Sequence, residues 1–513
     1  METLNQMLRR NLALLPDRTF LIAGEAHISY AEFGARTARM AHVLGEAGVG
    51  PGDRVGLYLP STPLMAVAFW ACQRLGAVPA PLTAMMRRSE IAGILDRSDL
   101  RALVADAETV GELPDTTDLS DLRLLVSGAA HPGAIDLDAA MKDASDSFSD
   151  HAQDLTDSSA LFFSSGTTGQ PKAIEQTHFA TASSLRDMSV AHGSRFGAET
   201  YLCAVPLFTN FGLTVTLNLC LYTGGTLVLH ERWDTERVLT DIARYQATYF
   251  GGTPTMYVYM AGAFDAARHD LSSLRVCTTG GAPVPQPIIR RFEDLSGARV
   301  SQVYGATEVC GQVVMEPVTG PRRAGAAGLP VGAARVTIVG EDDAPLPQGE
   351  IGEVVIGGDT VARGYDKPQA TAASFTPRGW LSGDLGFLDA DGFLFIVDRK
   401  KDVIITGGHN IYPLEVESVL YRHGGVSICA VVPAPDAVKG EIPVAVLVPL
   451  SGATLEAEAL REHCRTHLAA YKVPRRFEVI DEMPVEAAKI RKRDLVEALR
   501  GDGLDQFRHR ALT

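Results

Sequence analysis

Residues 164–178 are the part of this sequence best suited to chemistry. They read Ser-Ser-Gly-Thr-Thr-Gly-Gln-Pro-Lys-Ala-Ile-Glu-Gln-Thr-His and follow an apolar stretch, 160–163, that predicts a short buried strand. Glycine lets the backbone turn tightly near a ligand, while hydroxyls, amides and a lysine bind anionic oxygens. The common P-loop is excluded because Ala173, not Ser or Thr, follows Lys172. The run predicts a phosphate-binding loop, with a Gly/Ser/Thr-rich surface turn as the alternative.

Two further segments of this kind follow predicted strands. Gly-Gly-Ala-Pro at 280–283 follows a strand over 274–278, and Tyr-Gly-Ala-Thr-Glu at 304–308 ends a strand that begins at Val300. In parallel α/β sheets, ligands bind beyond the carboxyl ends of the strands. We therefore expect the three segments to converge on one crevice.

The elements that must position these segments alternate between helix and strand. The alternation covers residues 1–105 and 160–320 and predicts βαβ units with a parallel sheet. Residues 105–159 predict a connecting segment with one short strand over 123–127. Residues 325–398 predict a small β subdomain, because short β segments alternate there with turn residues.

A charge cluster, Asp-Arg-Lys-Lys-Asp at 398–402, separates the β subdomain from a last mixed α/β part. We place a domain boundary at this cluster. A hinge and a solvated turn are both compatible with its composition.

Length and charge limit the function classes. A chain of 513 residues predicts several domains, and a net charge of −15 disfavours nucleic-acid binding. The seven cysteines form no CxxC pair, which predicts buried thiols in a reducing cytoplasm. The N-terminus lacks the apolar core of a signal peptide, and the longest apolar run is too short to span a bilayer. We therefore expect a cytoplasmic protein with no membrane partner.

Seven short motifs occur in a fixed order along nearly the whole chain. They lie at 164–172, 280–283, 304–308, 349–353, 380–386, 398–402 and 407–415. One short motif matches by chance, whereas an ordered set is far more specific. On these motifs the chain resembles the adenylate-forming superfamily, which includes acyl-CoA synthetases, peptide-synthetase adenylation domains and beetle luciferases.

The resemblance implies an α/β fold in two domains. A large N-terminal AMP-binding domain, 1–400, would hold α/β sheets and a small β subdomain. A hinge at Lys401 would lead to a small mobile α+β C-terminal domain, 401–513. The implied enzyme is an acid–thiol ligase: ATP and a carboxylic acid give an acyl-adenylate and pyrophosphate, and coenzyme A then displaces AMP. The C-terminal domain would rotate between the two steps.

The resemblance also implies roles for individual residues. Ser164, Thr167, Thr168 and Lys172 would line the β/γ-phosphate loop; Gly281, Ala282, Pro283 and Tyr304 would flank adenine; Thr307 would contact the α-phosphate and Glu308 would hold Mg²⁺; Asp384 and Arg399 would bind the ribose or phosphate; Gly407, Gly408 and Arg475 would serve coenzyme A; and Lys489 would be the catalytic lysine. A turn-capping role remains the alternative for Asp384, and an exposed basic turn is an equal alternative for Arg475.

The acyl-pocket motif, Pro-Leu-Phe-Thr-Asn-Phe-Gly at 206–212, differs from the family pattern. Thr209 stands where the family usually has histidine. The pocket would be lined by Thr209, Phe211, Phe250, Gly251, Gly280 and Cys310. This set predicts an apolar and bulky acid, and core packing of the same residues is an equally good interpretation.

The C-terminal lysine loop also departs from the family. The family pattern is Pro-Arg-Thr-x-x-Gly-Lys-Ile-x-Arg, whereas residues 483–492 read Met-Pro-Val-Glu-Ala-Ala-Lys-Ile-Arg-Lys. The loop before Lys489 is one residue short, and one extended residue spans about 3.3–3.6 Å. Displacing a catalytic group by about 1 Å can lower a rate on the order of a hundredfold.

Two hypotheses follow from this loop. Either adenylation is weakened, so that the chain converts acyl-AMP from a separate adenylating enzyme and coenzyme A to acyl-CoA, or the backbone adjusts and Lys489 reaches its site. Loading of a carrier protein and a non-catalytic nucleotide-binding module remain further alternatives. The identity of the acid stays open, as does a homodimer.

Overall fold

The computed structural model of the chain describes residues 1–114, 122–164, 172–281, 286–450, 452–486, 489–500, 504–507 and 510–511. For Ser164, Pro287, Ile288, Glu486, Lys489, Arg510 and Ala511 it describes the backbone alone. Within these ranges, none of the helices combines the length and the apolar character that a membrane span requires.

The first sheet is parallel throughout. Its strands, in spatial order, are Val78–Leu82, Arg54–Tyr58, Leu100–Asp106, Arg123–Ser127 and Ile135–Asp136. The helices Tyr30–Glu46, Pro63–Leu75, Arg88–Leu95 and Leu137–Asp143 accompany these strands. The predicted βαβ units are confirmed, but 105–159 is more than a connection, because it also contributes a helix and the edge strand.

Local chemistry sets the ends of one of these helices. Pro63 occupies the first turn of Pro63–Leu75, where the missing N–H has no helical partner anyway. Gly76 ends the helix in the left-handed conformation with φ of +80°, which glycine adopts without steric penalty. The chain then enters the strand Val78–Leu82 directly.

The second sheet forms the main core. Its spatial order is Leu329–Pro330, Gly311–Met315, Val300–Ala306, Val276–Thr279, Tyr249–Gly252, Thr200–Cys203, Thr226–Leu229, Thr19–Ala23 and Ala26–Ser29. The central pairs are parallel and the outer pairs are antiparallel. Its helices are Leu4–Leu14, His178–Ala191, Leu219–Tyr222, Thr235–Arg244, Pro254–Ala263 and Gln286–Ser296.

One predicted helix has an unusual form. The apolar stretch 213–221 predicts a helix, and the structure has a buried π-helix at Phe211–Asn218 followed by the α-helical turn Leu219–Tyr222. The hydroxyl of Thr216 donates to the carbonyl of Phe211 over 3.2 Å. π-Helical turns are frequent at functional sites, and this one begins within the acyl-pocket motif at 206–212.

Two antiparallel sheets complete the part before residue 400. One consists of Ser158–Ser164, Lys172–Thr177 and Gly364–Tyr365, so that strands lie on both sides of the predicted phosphate loop. The other is the expected β subdomain, formed by Arg335–Val339, Gly352–Gly357, Gly379–Leu388, Phe375–Thr376 and Leu394–Arg399, with the helix Pro368–Ser374.

The remaining chain builds a separate mixed sheet. It contains His409–Ile411, Ile404–Thr406, Gly440–Pro449, Val426–Asp436, Arg476–Val479 and Arg510–Ala511, with the helices Pro413–Leu420, Ala457–His467 and Lys492–Arg500. A small hairpin pairs Val485–Glu486 with Lys489–Ile490. The division at residue 400 stays a prediction.

The cysteines are distributed through all of these layers. All seven are buried free thiols, and burial raises the pKa of each of them. Since the thiolate is the reactive form, these side chains behave as small apolar residues.

Candidate active site

Gln176 joins three of the predicted segments. It lies in the strand Lys172–Thr177 and is 1% exposed. Its Nε2 donates to the backbone carbonyl of Thr307 over 2.8 Å and to Oδ1 of Asn210 over 3.1 Å. The strand after the phosphate loop, the acyl-pocket motif and the 304–308 segment therefore meet at one place.

Gly280 places the start of the 280–283 segment beside the strand that leads to the 304–308 segment. It follows the strand Val276–Thr279, and a Cβ atom placed on it would lie 2.6 Å from the carbonyl oxygen of Val303. The neighbouring strand approaches too closely for any side chain, so packing explains this glycine. Gly281 is exposed and has φ of +80°, which also favours glycine.

Some of the predicted ligand-binding residues lie outside the described residues. They are Thr167, Thr168, Ala282 and Pro283, together with the side chains of Ser164 and Lys489. Their roles stay predictions.

Asp384 is held by two side chains that the sequence also assigned to the nucleotide. The phenol of Tyr304 donates to Oδ2 over 2.7 Å, and Nε of Arg399 lies 2.6 Å from Oδ1. Asp384 and Arg399 face each other in paired strands, which fixes the ion pair in register. Burial and the adjacent carboxylate raise the pKa of Tyr304 well above its usual value. The phenol therefore remains a donor, and the cluster presents a compensated carboxylate suited to sugar hydroxyls.

Tyr365 links Glu308 to the end of the phosphate loop. Its hydroxyl donates to Oε1 of Glu308 over 3.0 Å, and Nζ of Lys172 lies 5.0 Å from the centroid of its ring. Burial, and then the charge of Glu308, raise the pKa of Tyr365 to about 12. No local sequence pattern marks Tyr365, because its hydrogen-bond partner Glu308 lies 57 positions away in the chain.

Phe211 and Gly251 meet, as predicted for the acyl pocket. A Cβ atom placed on Gly251 would lie 3.2 Å from the ring of Phe211, 2.7 Å from the hydroxyl of Tyr249 and 3.1 Å from Oγ1 of Thr278. Only a residue without a side chain fits among these three groups. One apolar ring and two hydroxyls therefore surround this point.

Thr209 hydrogen-bonds to the backbone where the π-helix begins. Its hydroxyl donates to the carbonyl of Pro206 over 2.7 Å and accepts from the amide of Gly212 over 3.1 Å. A threonine in place of the expected histidine therefore contributes a local backbone cap.

Two predicted pocket residues belong to packing instead. Phe250 lies on the opposite face of its strand from Gly251, because successive strand side chains alternate, and its ring packs edge-to-face on Tyr257 at 5.5 Å. Cys310 is fully buried in a cluster with Ile174, Ala180, Ala362 and Tyr365. For both residues these contacts favour the packing interpretation, and their place in the acyl pocket stays a prediction.

Backbone conformation explains why glycines occupy the two positions that were predicted to leave room for a thiol. Gly407 and Gly408 form the two-residue turn between Thr406 and His409, with φ of +55° and +81°. A two-residue hairpin of this hand needs positive φ at both central residues. No atom lies within 4 Å of a Cβ placed on either glycine. Conformation, rather than crowding among the described residues, therefore selects glycine here.

The first residue of the charge cluster at 398–402 is a buried carboxylate, which the run of charges in the sequence does not reveal. Asp398 is 1% exposed, and its oxygens accept from the backbone amides of Arg399 at 2.7 Å and Leu414 at 2.8 Å. Burial raises the pKa of Asp398 to about 6, although the ammonium of Lys492 lowers it. Nζ of Lys492 lies 2.8 Å from Glu417. The first residue of the cluster is therefore not part of a solvated turn, whereas Lys401 is exposed.

The predicted coenzyme A residue and lysine loop lie further along the chain. Arg475 is exposed, and its amide donates to the carbonyl of Pro443 over 2.9 Å. In the small hairpin, Glu486 pairs with Lys489. Residues 487 and 488 separate these two residues in the sequence.

Family models match most of the chain. Residues 8–366 match the AMP-binding enzyme family, and residues 415–489 match the AMP-binding enzyme C-terminal domain. A feruloyl-CoA synthase of an Amycolatopsis species is 36% identical over 480 residues, which are 93% of this chain and 94% of the relative. A 2-succinylbenzoate–CoA ligase of Bacillus subtilis is 33% identical over 507 residues, covering 96% and 98%.

Solved structures show the same fold. An anthranilate CoA ligase in complex with anthranoyl-AMP has a TM-score of 0.89 at 26% identity and covers 97% of both chains. The o-succinylbenzoate CoA synthetase of Bacillus subtilis in complex with ATP and magnesium ion has a TM-score of 0.84 at 30% identity, covering 96% of this chain and 99% of the other. The chain thus belongs to the AMP-binding enzymes, in the acyl-CoA synthetase branch of the adenylate-forming superfamily, and is an acid–thiol ligase.

Proposed function

We propose that this chain is an acyl-CoA ligase for an aromatic carboxylic acid, using ATP, Mg²⁺ and coenzyme A. The observation that carries the proposal is the contact among Asp384, Tyr304 and Arg399, in which the phenol and the guanidinium hold the carboxylate. The resemblance assigned each of these three residues to the nucleotide from a different motif. Their contact in the folded chain supports that assignment.

Glu308 fits a magnesium ion. Mg²⁺ in nucleotide enzymes is commonly held by one or two carboxylates together with phosphate oxygens. The Tyr365 hydroxyl donates to Oε1 of Glu308, and Nζ of Lys172 lies 5.0 Å from the centroid of the Tyr365 ring. A carboxylate and a positive charge therefore lie close to the same tyrosine. Bound Mg²⁺ would neutralise phosphate charge and polarise the α-phosphorus.

The aromatic acid is supported by the acyl site and by the relatives. The ring of Phe211 beside Gly251 offers a flat apolar surface, and aromatic pairs gain about 0.5–1.5 kcal/mol beyond the burial of their area. Relatives with this fold include enzymes named for anthranilate, ferulate and succinylbenzoate.

The direct test supplies ATP, Mg²⁺ and coenzyme A with a panel of aromatic and aliphatic acids. We expect AMP release and acyl-CoA, identified by mass, with aromatic acids. The variant D384A provides the matched control and should lower the formation of both products on the order of 100- to 1,000-fold. Absence of product from every acid and from every preformed acyl-adenylate would refute the ligase and favour a nucleotide-binding module.

The hairpin at 485–490 favours a second candidate, in which the chain performs only the thioester step. Between Glu486 and Lys489 the sequence is Ala-Ala, which lacks the glycine of the family pattern and is one residue shorter. One extended residue spans about 3.3–3.6 Å, so we propose that Lys489 falls short of the site that the longer family loop reaches. A separate enzyme would then supply the acyl-adenylate.

Two parallel assays distinguish these candidates. One supplies ATP and acid and measures pyrophosphate; the other supplies acyl-adenylate and coenzyme A and measures acyl-CoA. The second candidate expects acyl-CoA only in the second assay, and a gain of pyrophosphate release when glycine is inserted before Lys489. Equal turnover in both assays would exclude it.

Several finer points remain our proposals. Coenzyme A is preferred to a carrier protein as the thiol, and replacing it with a holo-carrier in the second assay tests this choice. A cytoplasmic location and a homodimer can be tested by fractionation and by light scattering of the purified protein.

A further inference from the structure

One face of the strand Lys172–Thr177 carries residues from both ends of the candidate site. Successive side chains of a strand alternate between its two faces, so Lys172, Ile174 and Gln176 share one face. Nζ of Lys172 lies 5.0 Å from the centroid of the Tyr365 ring, and Tyr365 packs against the buried cluster that contains Ile174. Along the strand, Gln176 lies about 13 Å from Lys172.

Gln176 connects two motifs through a single nitrogen atom. Its Nε2 donates to the backbone carbonyl of Thr307 over 2.8 Å and to Oδ1 of Asn210 over 3.1 Å. A glutamine amide nitrogen carries two hydrogens, so both donors are used. Gln176 is 1% exposed and Asn210 is 8% exposed, which keeps water from competing for these bonds. This nitrogen therefore fixes the distance between the acyl-pocket motif at 206–212 and the 304–308 segment.

The turn that contains Thr307 is held by several groups. The carbonyl of Thr307 also accepts from the amide of Cys310 over 3.2 Å, and Cys310 has φ of +56°, which residues other than glycine rarely adopt. The carbonyl of Glu308 accepts from the amide of Ala362 over 2.9 Å. Such a backbone conformation persists only where its surroundings hold it. Gln176 contributes a bond that ties this turn to the acyl-pocket motif.

We infer that Gln176 is a positioning residue of the ligase, which sets the distance between the site of the acid and the site of the α-phosphate. The inference rests on the proposed function, since it concerns the same site. Thr307 is predicted to contact the α-phosphate, and Asn210 lies between Thr209 and Phe211 of the predicted acyl pocket. Two bound groups react when their atoms are held about 3–3.5 Å apart, so the distance between these two segments matters.

A positioning role predicts an effect that a purely structural role does not. A ligand that joins the acyl group to the nucleotide occupies both parts of the site in a fixed relation, whereas AMP alone and the acid alone each occupy one part. Loosening the connection between the two parts weakens the joined ligand, because both of its ends no longer fit at once. The separate ligands keep their own contacts.

The test measures equilibrium binding of three probes to the wild type and to Q176M. The probes are AMP, the acid that the wild type converts best, and the 5′-O-(N-acylsulfamoyl)adenosine of that acid, which is a stable analogue of the acyl-adenylate. Methionine fills nearly the same space as glutamine and has no donor. We expect Q176M to weaken binding of the analogue about 10- to 30-fold, and that of AMP and of the acid less than about threefold.

Two further variants assign the effect to the bond with Asn210. N210L removes the acceptor, and because both changes break the same bond, Q176M/N210L should cost less than the product of the two single effects. Q73M is the matched control, since Gln73 is fully buried and its Nε2 donates to the carbonyl of Ser159 over 2.8 Å, outside the seven motifs. We expect Q73M to lower the unfolding temperature and to leave the three affinities in the same ratio.

The outcomes distinguish a failed ligase from a failed positioning role. If the wild type forms acyl-CoA from no acid and from no acyl-adenylate, the proposed function fails. If acyl-CoA is formed but Q176M weakens all three probes equally, or none of them, the ligase stands and the positioning role is overturned. Thermal unfolding establishes that each variant is folded. If Q176M does not fold, N210L decides between the same outcomes, with an expected selective loss of about threefold to tenfold for the analogue.

Discussion

Two buried aspartates on paired strands of the β subdomain, Asp384 and Asp398, differ in the groups that compensate their carboxylates. Asp384 faces Arg399, and Leu385, the next residue, faces Asp398. The charge of Asp384 is compensated by a guanidinium and a phenol from the same part of the chain. The carboxylate of Asp398 accepts hydrogen bonds from backbone amides, one of them that of Leu414, which follows the charge cluster at 398–402.

The difference shows how neighbouring positions in one ladder acquire different tasks. Tyr304 and Arg399, which compensate Asp384, both precede residue 400. Asp398 instead interacts with the amide of Leu414 and with the ammonium of Lys492, which follow the charge cluster. The predicted rotation at Lys401 would therefore change the contacts of Asp398. We expect changes at Asp384 to affect nucleotide use, and changes at Asp398 to affect stability and the passage between half-reactions.

The largest effect is expected at Asp384. D384A leaves the phenol of Tyr304 buried without its acceptor and removes the anchor for the sugar. We expect kcat/KM for the nucleotide substrate to fall on the order of 100- to 1,000-fold, since hydrogen bonds to charged groups contribute about 1.5–3 kcal/mol each. Steady-state kinetics with varied ATP or acyl-adenylate measure this, with D391N, an exposed aspartate near the same sheet, as the control. If D384A left kcat/KM for the nucleotide substrate unchanged, Asp384 would not anchor the nucleotide and the contrast with Asp398 would fail.

The second prediction concerns the pH dependence of stability at Asp398. The folded pKa, about 6, is above the ordinary value of 3.8. A raised carboxyl pKa stabilises the fold below pH 4 and loses that contribution as pH rises through about 6. Between pH 4 and pH 7 the wild type should therefore lose up to about 3 kcal/mol relative to D398N. Urea unfolding at several pH values measures the difference; a constant difference would contradict the prediction.

The third prediction tests the phenol at Asp384 alone. Y304F keeps the ring but removes the donor to Oδ2. We expect KM for the nucleotide to rise about tenfold with a smaller change in kcat. Y304F should leave the pH dependence of unfolding that is ascribed to Asp398 unchanged. A change in that dependence would show that the two aspartates act as one unit.

The smallest effect is expected at the other phenol–carboxylate pair. Y365F releases one oxygen of Glu308 from its donor. We expect the Mg²⁺ concentration for half-maximal turnover to rise about threefold, because the carboxylate is less well oriented. Titration with Mg²⁺ at saturating nucleotide measures it. A shift as large as that of D384A would make Glu308, rather than Asp384, the more sensitive anchor.

The sequence predicted elements with strong periodicity better than elements without it. The strand Arg123–Ser127 lies where the pattern placed it. The helix Leu137–Asp143 was missed because its segment is rich in Asp and Ala and poor in periodic apolar residues. The helical stretch at 213–221 was predicted without its π-helical form, since an apolar run buried on all sides has no period that distinguishes the two kinds of helix.

The candidate site shows the same limit. Motifs identified Tyr304, Asp384 and Arg399, because each is marked by its own neighbours in sequence. The face of Phe250 could not be predicted, since its strand is buried on both sides and has no apolar–polar alternation. Tyr365 could not be found because its contact with Glu308 exists only in the folded chain.

The burial of all seven cysteines has a practical consequence. A maleimide dye reacts with thiolates at the surface, and the native thiols are both inaccessible and poorly ionised. Single cysteines introduced on either side of Lys401 could therefore be labelled as a donor–acceptor pair without removing any native residue. Energy transfer between the dyes would then test the predicted rotation of the C-terminal part during turnover, one molecule at a time.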